Sequence, residues 1–102
     1  MLVFGINTAV NAQSRLIFTD NETGETIEHY SETTFSKEKV AAFKTQARNS
    51  TNNAATHPGS FTWTYLEWNR DFGRWDYAYG DFYFDKGVTF TQIINEIIRV
   101  FF

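Results

Sequence analysis

The chain has 102 residues, no cysteine, 42% hydrophobic and 19% aromatic residues, and a net charge of −3. This length suits one domain, residues 1–102, able to bury one core, and the hydrophobic share is too high for a disordered chain. The missing cysteine excludes disulfides, thiolate metal sites and a cysteine nucleophile, and it fits a reducing, cytoplasmic setting. The weak negative charge argues against nucleic acid as the partner, because phosphate binding needs clustered Lys and Arg.

At the start, Met1 to Gln13 has neither a basic region nor a long apolar run, so no signal peptide is expected. Leu2–Ile6 reads as a short strand. No stretch approaches the roughly 18 consecutive apolar residues a membrane helix needs, so no membrane partner is expected. Asn21-Glu-Thr23 and Asn49-Ser-Thr51 match the glycosylation pattern, but without a secretion signal they read as chance matches.

Arg15–Thr19 and Thr26–Ser31 read as the arms of a hairpin. Asp20-Asn-Glu-Thr-Gly24 between them is turn chemistry, because Asp and Asn bond their own backbone and Gly supplies positive φ. Residues Asp20 to Glu32 carry five acids and no base, whereas Lys37 to Arg48 carry four bases and one acid. The first helix starts at Ser36, an N-cap, with Phe35 and Val40 as its hydrophobic staple. Val40, Phe43 and Ala47 share one face of it. Asn49-Ser-Thr-Asn-Asn53 stops the helix, because these side chains compete for backbone bonds. A polar loop follows to Ser60, with His57-Pro58-Gly59 as its turn.

Phe61 to Phe84 holds 11 of the 19 aromatic residues and all three tryptophans. Phe61, Trp63 and Tyr65, then Trp75, Tyr77 and Tyr79, alternate with other residues at period two, which predicts two strands. Arg70-Asp-Phe-Gly-Arg74 is their connecting turn. Gly80 predicts a bulge or a close backbone approach. Thr89-x-x-Gln92 is a capping box opening the last helix, whose apolar stripe is Phe90, Ile93, Ile94, Ile97, Ile98 and Phe101. The order β-ββ-α-ββ-α predicts an α+β fold: a mainly antiparallel sheet of four or five strands packed by two helices.

Phosphate-binding and dinucleotide-binding glycine motifs, the nucleophile elbow and the paired-histidine zinc helix are all absent. His29 and His57 are the only histidines. Either has the ordinary pKa of a general base, and the carboxylates around His29 would raise its pKa; the plain reading is a strand-surface residue and a turn residue. Glu67, Asp71, Asp76, Asp81 and Asp85 surround the aromatic hairpin, and paired carboxylates among rings are the chemistry of glycoside hydrolysis. Their alternation with Arg70, Arg74 and Lys86 fits solvated cross-strand ion pairs better.

The aromatic hairpin carries rings on both faces, with Leu66 and Trp68 opposite Trp63 and Tyr65. One face of a single sheet meets water unless covered, so some rings are expected outside. Exposed Tyr and Trp beside Arg are the composition of binding hot spots. The expectation is therefore a non-enzymatic protein-binding module without cofactor or metal. It would act as an inhibitor or adaptor of the kind encoded by phages and mobile elements, meeting another protein through Trp63, Tyr65, Trp68, Arg70, Trp75, Tyr77 and Tyr79. The acids Asp20, Glu22, Glu25 and Glu28 form a second contact surface for a basic partner. Alternatives are a nucleic-acid or small-ligand binder that stacks its ligand on the same rings, and a small hydrolase using His29 or His57. Self-association through an exposed edge also stays open.

Overall fold

The computed structural model describes residues 12–55 and 59–102; the strand expected at Leu2–Ile6 and the turn at His57-Pro58 lie outside them. The described elements are β1 (Ser14–Asp20), β2 (Thr26–Ser31), α1 (Lys37–Ser50), a short 3-10 turn (Thr51–Asn53), β3 (Gly59–Asn69), β4 (Arg74–Phe84) and α2 (Phe90–Phe101). This is the α+β architecture the sequence predicts: one antiparallel sheet in the order β2-β1-β3-β4, with two helices.

Both hairpins are closed by the residues that turn chemistry requires. Asp20 Oδ1 accepts from the Glu22 N–H at 2.9 Å, and Gly24 takes φ +80°. In the second hairpin Asn69 Oδ1 accepts from the N–H groups of Asp71 and Phe72, and Gly73 takes φ +61°. The helix starts also follow the sequence. Ser36 Oγ accepts from Lys39 N–H, and Thr89 with Gln92 completes both halves of the capping box. α1 runs past Asn49 to Ser50 and then tightens into the 3-10 turn, because Ser50 Oγ donates to the Ala47 carbonyl and accepts from Tyr83 N–H on β4.

Alternation divides the sheet residues into two sets. The inner set, Leu16, Phe18, Phe61, Trp63, Tyr65, Phe82 and Phe84, is buried under the helices. Phe43 of α1 contacts the rings of Phe18, Trp63 and Phe82. Phe90 of α2 packs on Phe61, and Ile94 and Ile97 complete the core. Each such fully buried side chain contributes about 1.5–3 kcal/mol of transfer free energy, so this layer carries the fold.

Gly80 is not at a bulge: the β3–β4 pairing is continuous from Gly59↔Phe84 to Asn69↔Arg74. A Cβ at Gly80 would lie 2.9 Å from the Trp63 indole, so the glycine makes room for a ring, not for another backbone.

Candidate functional site

The face of the sheet turned away from both helices is built by the second alternating set. Register places Tyr30, Arg15, Leu66 and Tyr77 in one cross-strand row, and Glu28, Ile17, Thr64 and Tyr79 in the next. Trp68 and Trp75 are direct cross-strand partners in an edge-to-face pair, with centroids 5.5 Å apart. Tyr77 and Tyr79 project from the same side of β4, stacked at 6.1 Å and 18°. They are 68% and 70% exposed, on a strand paired on one side only. Phe72, at the tip of the hairpin, is exposed with the Arg74 guanidinium over its ring.

The charge around this face is arranged in borders. In its centre Arg15 is ion-paired with Glu28, so that charge is largely cancelled. Glu25 and Glu32 lie exposed at the two ends of the short edge strand β2. Lys37, Lys39, Lys44 and Arg48 belong to α1, on the helix-covered side of the sheet, and of these Lys44 and Arg48 line a cleft that Tyr79 also lines.

The structure divides the expected contact residues. Trp68, Trp75, Tyr77 and Tyr79 share the outer face, and Arg70 is exposed in the turn next to it. Trp63 and Tyr65 are instead core residues, 6% and 8% exposed, because their register against Phe18 and Leu16 sets them under α1. Asp20 is only 8% exposed and is taken up by the first turn. Glu22 is exposed but ion-paired with Lys86 at 2.9 Å, and Glu25 and Glu28 are exposed. Arg15, Ile17 and Tyr30 were not singled out in the sequence, and Leu66 was placed on this face but not among the contacts. The period-two pattern of the strands was the available signal, but only the strand order brings Arg15, Ile17 and Tyr30 into the rows of Tyr77 and Tyr79.

His29, Glu67, Asp76, Asp81 and Asp85 are engaged in local contacts, whereas Asp71 is exposed in the β3–β4 turn. His29 points to the inner face, opposite to Glu28, and stacks on Phe35 at 5.5 Å and 9°. Burial pushes its pKa below the ordinary value, opposite to the rise expected from neighbouring carboxylates. His57 lies outside the described residues. Glu67 accepts the Tyr65 hydroxyl at 2.7 Å; burial, then this bond, pushes the Tyr65 pKa up to about 12. Asp76 is held by Asn69 and Arg74, Asp81 by the Thr62 hydroxyl, and Asp85 by the Gly87 N–H. Among the described residues no group of three or more acids and histidines is placed to hold a metal ion, and no helix is long and apolar enough to cross a membrane.

A cleft of about 330 Å³ lies between α1 and β4, lined by Lys44, Arg48, Thr51, Trp63, Tyr79 and Asp81 among others. The Trp63 indole N–H at its floor is buried and has no acceptor among the described residues. The chain matches no known protein family, no curated protein and no solved structure.

Proposed function

We propose that this protein is a small binding module that acts by occupying a surface on another protein, as an inhibitor or adaptor and without catalysis of its own. The observation that carries this reading is the outer face of the sheet, which no described helix covers and where Tyr77 and Tyr79 are 68% and 70% exposed beside the Trp68–Trp75 pair. Rigid rings with two side-chain torsions bring large contact area at low entropic cost, which is why they dominate hot spots. The rings sit on strands of a continuous four-stranded sheet, so the face is pre-organised.

The chemistry also describes the partner. An aromatic surface with Glu25 and Glu32 exposed at the border of the same face fits an apolar patch flanked by Lys or Arg. Nucleic acid fits poorly, because the one cation in the middle of this face, Arg15, is already paired with Glu28.

The test compares proteins retained from host lysate by the wild-type chain and by a Tyr77→Ala/Tyr79→Ala variant. Both substitutions are at exposed positions, so the unfolding free energy from urea titration should change by no more than about 0.5 kcal/mol per site. The reading expects a specific protein retained by the wild type and lost by the variant. Equal retention by the two, with both folded, would contradict it.

A further inference from the structure

We infer that the free edge of β4 is a self-pairing site, through which two copies of the chain join their sheets antiparallel into one of eight strands. This rests on backbone geometry and is independent of the partner proposed for the outer face.

β4 is the last strand in the order, and it pairs with β3 over its whole length. In an antiparallel pair, residues that bond the neighbour alternate with residues whose N–H and C=O point away from it. Three hydrogen bonds identify which set points away. Tyr83 N–H donates to Ser50 Oγ, off the sheet. Its partner residue Ser60 turns its carbonyl the other way, to Asn21 N–H. At the far end Trp68, the partner of Trp75, donates its N–H to the Gln13 carbonyl. The outward set of β4 is therefore Trp75, Tyr77, Tyr79, Asp81 and Tyr83. Ser50 satisfies the last of these, and no described residue bonds the backbone of the other four along this edge.

Edges of this kind are usually blunted by shortness, proline, lysine, a bulge or a covering element. The opposite edge, β2, is six residues long and bordered by Glu25 and Glu32. β4 is eleven residues long, regular, and free of proline and lysine. A second copy fits it because the strand can face itself without setting like charges together. Arg74 is already paired with Asp76 of its own chain. With the two-fold axis at Ala78, Arg74 opposes the second copy's Phe82, Tyr77 opposes Tyr79, Asp76 opposes Gly80 and Asp81 opposes Trp75. No two acids face each other within Arg74–Phe84. The four tyrosines meet at the seam, and the outer aromatic face becomes continuous across both copies.

Molar mass by light scattering, over a concentration series, tests this. The wild type should reach twice the 11.9 kDa of the chain. Tyr79→Pro removes one outward N–H that the monomer does not use, so the fold should persist while the mass falls to that of one chain. Tyr79→Ala keeps the N–H and should remain a dimer even where it loses an outer-face partner, which separates the two ideas. Should the proline variant fail to fold, Tyr77→Lys/Tyr79→Lys sets like charges across the seam and should be monomeric and folded. A wild type that stays at single-chain mass throughout, or proline or lysine variants that remain dimers, would overturn the inference.

Discussion

His29 shows how the side of a strand on which a residue lies outweighs the charge of its sequence neighbours. It stands in an acidic stretch, yet alternation turns it inward against Phe35 and Phe102, and burial lowers its pKa from 6.5. The sign of the consequence follows from linkage. Above 6.5 the ring is neutral in both folded and unfolded chains, and nothing is lost. As pH falls through that value the unfolded chain takes up a proton that the folded chain resists, so stability drops. Replacing His29 by Leu should therefore remove part of the loss in urea midpoint between neutral and mildly acid pH. Identical losses in the two proteins would show that His29 is not the group responsible. Asp20 makes the same point. Its position in an acidic run suggested a contact residue, but its carboxylate closes the first turn.

At the scale of elements, what depends on local chemistry was readable in the sequence. Ser36 and the Thr89/Gln92 box open the helices, and the Asp20 and Asn69 turns close the hairpins, because each uses residues within a few positions of one another. What depends on tertiary contact was not. α1 continues to Ser50 because that hydroxyl ties the helix end to β4, a bond across 33 positions. Gly80 reads as a bulge or a close backbone approach from sequence alone; its reason is the Trp63 indole on the neighbouring strand. Substituting Gly80→Ala should cost about 1–3 kcal/mol of stability, the usual cost of overpacking, read as a lower urea midpoint with an unchanged slope. A neutral or stabilising effect would mean that the indole moves aside freely.

For the molecule as a whole, the sequence showed that the aromatic hairpin has two ringed faces but not which one is buried. Both sets are apolar enough to form a core, so periodicity alone leaves the choice open. The structure decides it by pairing β3 with β1, where Trp63 and Tyr65 meet Phe18 and Leu16 and the helices close over all four. Trp68, Trp75, Tyr77 and Tyr79 are left on the other side, which is why four of the six expected rings lie in the candidate site and Trp63 and Tyr65 do not. One arrangement underlies the proposed function: a helix-covered face that folds the chain, and an aromatic face, uncovered by the described helices, that is proposed to meet a partner. The most direct measurement is photo-crosslinking in the host, with benzoylphenylalanine at Tyr77 on the aromatic face and, as control, at Thr45 on exposed α1. The account predicts an adduct between this chain and a different protein from Tyr77 and none from Thr45. Adducts of equal yield from both positions, or from Tyr77 only a species of twice the chain's mass, would contradict it.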